Sequence, residues 1–475
     1  MRGMNSDSVD LIYLDPPFNS NRDYAAPIGS KVAGAAFKDT WTLSDVDEAW
    51  HGEIAERDPV LYGIIDAAGQ VHSKGMKSYL IMMAVRLLEM KRLLKSTGSI
   101  YLHCDPTASH YLKALMDSIF GSKNFRSEII WRRSNAHNKL KRQYGPIHDV
   151  ILFYGISEQA PFHPGLTPYA KTYITKNFPR HDDAGRYQSN VLTGVGERDG
   201  ESGEAWRTYN PTRHGRHWAI PTKIKSHLGL PEKISPQQAL DTMDKSGLVL
   251  HPKNPDGMPR YKQYLSTSHG IPYQDVWAFQ PGSQGALSET SQGFDEDVKW
   301  LDAESERLGY PTQKPIGLLN RIIVTSSNPG DIVLDPFCGC ATALIAADRL
   351  NRQWVGIDLS PLAAKLVLKR LKDDRGPLFD DVTHREDIPK RMDQGAIPSY
   401  KTHKHTLFGK QEGICTGCRH TFPFRNFTVD HIIPQTKGGT DHEGNLQLLC
   451  GACNSMKGAG TQEELLAKLK REGIR

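Results

Sequence analysis

The tetrapeptide Asp15-Pro16-Pro17-Phe18 sets a carboxylate, two rigid prolines and an aromatic ring in consecutive positions. It follows Val9-Asp10-Leu11-Ile12-Tyr13-Leu14, an apolar and aromatic run that predicts a buried strand. Proline cannot extend a ladder and holds the residue before it extended, so the carboxylate is displayed at the strand's carboxyl end on a stiff turn. In open α/β sheets that edge is where ligands bind. The chemistry such a group suits is methylation of an exocyclic amine on a nucleobase. That nitrogen's lone pair is delocalised into the ring, which makes it a poor nucleophile. A carboxylate and a neighbouring main-chain carbonyl can accept its hydrogens and localise the lone pair, while the Phe ring stacks on the flipped base. A D-P-P tripeptide alone is more often a turn, so the rest of the chain has to decide.

The elements around it must hold the carboxylate still. After a loop from Asn19 to about Gly75 with little periodicity, Ser78 to Lys95 predicts an amphipathic helix with a basic last turn. Gly98 to Cys104 reads as a strand, Ala108 to Phe120 as a helix, and Glu128 to Trp131 and Asp149 to Tyr154 as strands. Between the last two lies a basic loop, Arg132 to Tyr144. Alternating strands and helices indicate an α/β sheet.

From Gly155 to about Ser305 prolines, glycines, histidines and tryptophans rise, and helices are few apart from Ser235 to Ser246. Trp206-Arg207-Thr208-Tyr209-Asn210-Pro211 and Arg213-His214-Gly215-Arg216-His217-Trp218 interleave basic and aromatic residues. Such a pattern can grip phosphates and stack on unpaired bases, or belong to an ordinary surface insertion; the sequence leaves both readings open.

A second chemical stretch follows. Pro311-Thr312-Gln313-Lys314-Pro315 opens a helix to about Ser326, and Gly330 to Leu334 predicts a strand. Asp335-Pro336-Phe337-Cys338-Gly339-Cys340-Ala341-Thr342-Ala343 then turns into a helix reaching Leu350, and the next strand, Trp354 to Asp358, ends on an acid. A small-residue turn into a helix, with an acid closing the following strand, is the logic of a nucleotide site, the acid accepting from a ribose diol. The turn departs from the G-x-G-x-x-G fingerprint, which argues against NAD.

The chain of 475 residues is long for one core, and two or three domains are expected. Its net charge of +5 is compatible with nucleic acid without being diagnostic of it. It has no apolar run long enough to span a bilayer and no signal-peptide core, so a cytoplasmic, soluble protein without a membrane partner is expected. Of seven cysteines, Cys415, Cys418, Cys450 and Cys453 form two C-x-x-C pairs, the spacing of a structural zinc site. A segment that small has too little core to stand alone, so a metal staple makes physical sense. Cys104, Cys338 and Cys340 read as buried thiols.

Taken together, Asp15-Pro16-Pro17-Phe18, Thr312-Gln313-Lys314-Pro315 and Asp335-Pro336-Phe337-Cys338-Gly339-Cys340, in that order, resemble the β-class of amino-DNA methyltransferases. The resemblance covers roughly the first three-quarters of the chain. It implies a Rossmann-like sheet using S-adenosylmethionine, with the catalytic half first, a target-recognition insert next and the cofactor half last. It further implies that Asp15 and the Pro16 carbonyl hold the target amine and that Phe18 stacks on the base. Thr312, Gln313 and Lys314 would approach the methionine end of the cofactor. Asp335, Phe337 and Gly339 would cradle it, and Asp358 would take the ribose hydroxyls. The leading Asp favours N6 of adenine, since N4-cytosine members more often carry Ser there. Two departures stand out. Ala341-Thr342-Ala343 replaces the usual Gly-Thr-Thr, and the strand with a Gly-Asp pair that usually precedes the catalytic segment is absent. The second implies either a truncated start or one cofactor contact fewer.

Between the cysteine pairs lie Val429-Asp430-His431-Ile432-Ile433-Pro434 and Asn445, and Asn454 and Lys457 follow the last Cys; together they resemble an HNH endonuclease. That resemblance implies His431 as general base on the attacking water and Asn445 orienting its ring. Asp430 and Asn454 would hold one divalent cation, magnesium or manganese, against the scissile phosphate. Asn454 stands where many members have His. A zinc ribbon that only binds DNA is the plainer alternative.

The expectation is therefore an α/β, S-adenosylmethionine-dependent methyltransferase over residues 1–398, its insert at about 155–305 and its cofactor half at about 306–370. A zinc-stapled ββα HNH module would follow over 399–475, and the partner would be double-stranded DNA. The rival readings are a DNA-binding protein with one live activity, an N4-cytosine enzyme, and an RNA substrate.

Overall fold

The computed structural model describes residues 1–17, 23–25, 36–38, 54, 58–136, 142, 144–268, 270–301, 313–376, 382–387, 389, 391–393, 403–404, 407–408, 411, 413–439 and 443–475. Phe18 and Thr312 lie outside them, as does part of the basic loop after Arg132.

Strand β1 (Val9–Leu14) is almost wholly buried because it is covered on both faces. Ile12 and Leu14 face helices α1 (Pro59–Val71), α2 (Lys74–Leu93) and the helix α3 (Pro106–Phe120) that follows β2 (Leu94–Cys104). Leu11 and Tyr13 point the other way, into a second cluster, as the two-residue period of a strand requires. Helix α1 falls inside the stretch predicted as loop. Its start signal was present: Asp58 caps Leu61 with its carboxylate, Pro59 follows, and Leu61, Ile65 and Ala68 bury one stripe.

Strands β3 (Phe125–Arg132), β4 (His148–Gly155) and β5 (Val276–Trp277) extend one side of the sheet. The other side is built by α4 (Ile316–Ser326), β6 (Ile332–Asp335), α5 (Thr342–Arg349), β7 (Gln353–Gly356) and α6 (Pro361–Arg375). The strand order is β5-β3-β4-β2-β1-β6-β7. Strand β1 pairs in parallel with both β2 and β6, β6 with β7 and β3 with β5, whereas β4 runs antiparallel to its neighbours β2 and β3. The chain therefore winds away from β1 in one direction early and resumes beside it at β6, making the carboxyl ends of β1 and β6 a topological switch point.

Residues 165–273 and 280–296 form a compact unit of their own. Its antiparallel sheet runs Val249–Leu250, Arg260–Tyr264, Gly185–Val191, Arg180–Asp182, and the helix Pro236–Lys245 buries Ala239, Leu240 and Met243. The two tryptophans of the interleaved basic–aromatic stretch belong to its core, while Arg207, Arg213 and His214 stay exposed. Trp206 and Trp218 are buried with Leu192, Leu240 and Met243. Trp206 Nε1 donates to Asp241 at 2.9 Å, and the Arg207 guanidinium lies over the Trp206 ring while pairing with Asp244 at 2.6 Å. For these rings the structural reading holds, because faces already packed cannot stack on bases.

At the carboxyl end, β8 (Phe427–His431) and β9 (Leu446–Cys450) form an antiparallel hairpin followed by helices α7 (Gly451–Lys457) and α8 (Gln462–Arg471). Upstream of that module, residues 389–393 lie back on the amino-terminal segment. A Cβ on Gly3 would fall 2.0 Å from the Pro389 carbonyl oxygen, so only glycine fits there. Met392 N–H donates to Asn5 Oδ1 at 2.9 Å and Ser6 N–H to Asp393 at 2.8 Å. Among the described residues no helix is long and apolar enough to cross a membrane.

Candidate functional site

Asp15 leaves β1 at the switch point, followed by a buried Pro16. Its Oδ2 accepts from the Lys314 ammonium at 2.5 Å, and Oδ1 is buried with no hydrogen-bond partner among the described residues. Lys314, just ahead of α4, is itself 7% exposed, so each charge offsets part of the other's burial cost. Sequence motifs 299 residues apart are thus brought into contact. The reading of Lys314 as a methionine-end contact did not foresee that it pairs with Asp15.

Asp335 closes β6 across from Tyr13 and is fully buried. Burial pushes its carboxyl up to about 8; the Phe337 N–H that donates to it at 3.1 Å and the Lys314 charge oppose that, while the Asp15 and Asp358 charges add to it. Asp358, beyond β7, is exposed and accepts from Gly339 N–H at 2.9 Å and Ser360 N–H at 2.8 Å. Asp335, Phe337, Gly339 and Asp358 therefore border one turn. Ala341, at the mouth of α5, has φ +67°, a left-handed conformation that suits the glycine it replaces. Arg370 of α6 ties that turn down through the Cys340 carbonyl and Thr342. Cys104, Cys338 and Cys340 are buried, as read from the sequence, and burial pushes all three thiols up.

In the carboxyl-terminal module the ligand atoms of Cys415, Cys418, Cys450 and Cys453 lie within 4.8 Å of one another, a grouping that could hold a metal ion. Burial raises the Cys415 thiol, but main-chain N–H groups of Cys450, Cys418 and Gly417 outweigh it and leave the group below its ordinary value. Asp430 and His431 end β8. The 1%-exposed Lys457 ammonium of α7 bridges Asp430 Oδ2 at 3.0 Å and the His431 carbonyl at 2.7 Å, and Gln447 also donates to Asp430 Oδ2. Asn445 exchanges two 3.0 Å hydrogen bonds with the Ile433 main chain, which fixes the loop leaving His431. Asn454 sits on α7 one turn before Lys457, on the same face. The donors on offer for a cation, a carboxylate and an amide oxygen, are hard oxygens that suit magnesium or manganese.

Residues 9–369 match the DNA methylase family (N6_N4_Mtase). The chain belongs to that family. Residues 415–460 match the HNH endonuclease family, so this DNA methylase carries an HNH domain. It is 30% identical over 338 residues to the type II methyltransferase M.EcaI of Enterobacter cloacae, an alignment covering 70% of this chain and 66% of that protein. With the Mod subunit of the type III restriction-modification enzyme StyLTI of Salmonella typhimurium it shares 26% identity over 354 residues, 73% of this chain and 47% of the subunit. A 74-residue stretch is 49% identical to the DNA adenine methyltransferase YhdJ of Escherichia coli, covering 16% of this chain and 24% of YhdJ. The chain thus spans just under two thirds of M.EcaI and about half of the Mod subunit.

In this DNA methylase, sequence reasoning passed over a buried polar chain beside Asp15. Tyr13, His103 and Asp149 are at most 2% exposed and are linked at 3.0 Å per step, and Asp149 pairs with Arg133 at 2.9 Å. The signal was a histidine inside the apolar run Gly98 to Cys104 that has no business there unless partnered.

Two outcomes follow from the cofactor turn. Ala341→Gly relieves a left-handed alanine and should gain roughly 0.5–1 kcal/mol after the glycine's larger unfolded-state entropy is deducted, read from urea midpoints. Asp335 titrates near 8 when folded and near about 3.9 when unfolded, so the stability it contributes is complete below pH ~4 and is lost as pH rises to 8. Asp335→Asn removes that slope. Its stability relative to wild type should climb between those pH values in denaturant titrations without cofactor.

Proposed function

We propose that the chain methylates N6 of adenine in double-stranded DNA and that its HNH module cuts DNA, the two acting as a restriction–modification protein in the cytoplasm. The observation that carries the first half is Asp15 Oδ1, a buried carboxylate oxygen at the sheet's switch point with no partner among the described residues. An acceptor withheld from water and left unpaired costs free energy unless a ligand donor fills it. The amino group of a flipped base is such a donor.

S-adenosylmethionine, when bound, supplies an electrophilic methyl group. The chain's own residues do the rest. Asp15 and the Pro16 carbonyl accept hydrogen bonds from the two amine hydrogens and turn the lone pair out of the ring towards the methyl group, one proton being released as the N–CH3 bond forms, and Phe18 stacks on the base. Lys314 holds the carboxylate in place. Asp335, Phe337, Gly339 and the N-terminus of α5 border the cofactor turn, with Gln313 and Thr312 on the methionine side and Asp358 toward the ribose. YhdJ, by its name an adenine methyltransferase, and the leading Asp of the motif support adenine over N4 of cytosine. The unit at residues 165–273 and 280–296 would serve target recognition.

In the HNH module zinc would sit among the four cysteines, where the thiolates supply its usual soft donors. His431 would deprotonate water, with Asn445 holding the loop behind it, and Asp430 and Asn454 would offer oxygens to magnesium or manganese.

The test is paired. Asp15→Ala should abolish methyl transfer, read by sequencing DNA for modified bases, with cofactor affinity nearly unchanged; retained turnover at saturating cofactor would sink the role. In the Asp15→Ala background, matched methylated and unmethylated duplexes with magnesium or manganese should show cutting of the unmethylated one, and His431→Ala should remove it. Modified cytosine would favour the N4 reading, and no cutting under either metal the non-catalytic ribbon. Separately, Cys415→Ser should release zinc and make the last segment protease-sensitive while methylation survives.

A further inference from the structure

The chain Tyr13–His103–Asp149–Arg133 crosses the sheet from its catalytic strand to its basic loop. Each residue comes from or adjoins a different strand: Tyr13 from β1, His103 from β2, Asp149 from β4, and Arg133 just past β3. Leu14 registers with Leu102, so His103 stands beside the position of Asp15. Tyr13 lies two residues before Asp15 and shares its face of the strand.

At Asp149 the direction of the donors can be assigned. Burial pushes Asp149 up, but the His103 hydrogen bond and the His103, Lys314 and Arg133 charges outweigh it, so its carboxyl stays below the usual range and can only accept. His103 therefore donates through Nε2 at 3.0 Å, and its Nδ1 is hydrogen-bonded to the Tyr13 hydroxyl, also at 3.0 Å. Burial, with the Asp15, Asp335 and Asp149 charges, holds that hydroxyl protonated. Trp131 packs edge-on to the imidazole at 5.5 Å and fixes the ring plane. At the far end, Arg133 is 41% exposed; Nε pairs with Asp149 and another nitrogen donates to the Pro146 carbonyl. Arg133 is the second residue of the basic run RRSNAHNKLKRQY, Arg132 to Tyr144.

We propose that Tyr13, His103, Asp149 and Arg133 form a positioning chain that couples docking of a nucleic-acid phosphate on Arg133 to the strand end carrying Asp15. This rests on the methyltransferase reading. A phosphate on the exposed guanidinium competes with Asp149, and every link behind it is a single buried hydrogen bond that must respond. None of the four need touch the base. They set where Asp15 stands when the amine arrives, and displacements of about 1 Å at a reacting centre cost on the order of 100-fold in rate.

The experiment is a double-mutant cycle on the full chain. Single-turnover methyl transfer to an adenine-containing duplex is measured for wild type, His103→Gln, Arg133→Gln and the double variant, at saturating S-adenosylmethionine and DNA. His103→Gln should slow transfer roughly 10- to 100-fold while the cofactor's Kd stays within about twofold. Arg133→Gln should slow transfer in the His103 background and have little further effect in the His103→Gln background. Multiplying effects, or an unchanged rate in His103→Gln, would overturn the proposal. If His103→Gln fails to bind cofactor, Tyr13→Phe, which keeps the ring and removes the hydroxyl, takes its place in the cycle. A readout independent of catalysis separates this from the reading it rests on: DNA should shift the His103 ring ¹⁵N resonances in wild type and leave them unmoved in Arg133→Gln. Absent methylation with that shift present would fault the methyltransferase reading alone; an absent shift would fault the coupling.

Discussion

The arrangement at the switch point depends on one ammonium. Lys314 is buried beside Asp15 and its charge reaches Asp335, so carboxylates from two adjacent strand ends are held in a site from which water is largely removed. Asp15 carries the ion pair with that cation, while Asp335, buried close by, is pushed up to about 8 by burial and by the neighbouring carboxylates. The strand order makes the pairing possible. Strand β1 and strand β6 are 317 residues apart in sequence but neighbours in the sheet, and α4 delivers Lys314 between them. The long excursion through residues 155–305 thus intervenes between two halves of one site.

Much of that site was legible because its residues are punctuation. Asp15-Pro16-Pro17 and Asp335-Pro336 stop strands, and what stops a strand sits at an edge where ligands bind. The sheet strands on both sides of β1 were legible for the same reason, as apolar runs bounded by turn residues. What sequence could not supply was pairing across distance. His103 reads as one more strand residue until Tyr13 and Asp149 are placed at its two nitrogens. In the insert the sequence left two readings open for Trp206 and Arg207, and what separates them is again pairing: the ring is buried and the guanidinium is tied to Asp244. Helix α1 was missed because a loop-like surround masked an Asp-Pro start and a three-residue apolar stripe.

The HNH module shows how a small fold compensates for a thin interior. Its core of Phe427, Val429, Leu446, Leu448, Leu449, Leu465 and Leu469 is continuous with the buried cysteines, so the metal-ligand grouping and the hydrophobic cluster are one structure. Lys457 fits the same economy. Its ammonium spans a side chain and a main-chain carbonyl of the adjacent Asp430-His431 pair, so α7 is latched to the end of β8.

The fold-back of residues 389–393 onto the amino-terminal segment shortens the leash between the two modules. A chain fastened at Asp393 and next committed at Leu407, which is buried in the HNH core, has about 14 residues to spend, which reach at most roughly 50 Å when fully drawn out. On duplex DNA at about 3.4 Å per base pair that is roughly one and a half helical turns. A scissile bond served by this HNH module would therefore lie within a bounded radius of wherever the methylase is docked, so the ruler for the cut is peptide length rather than a second act of sequence reading.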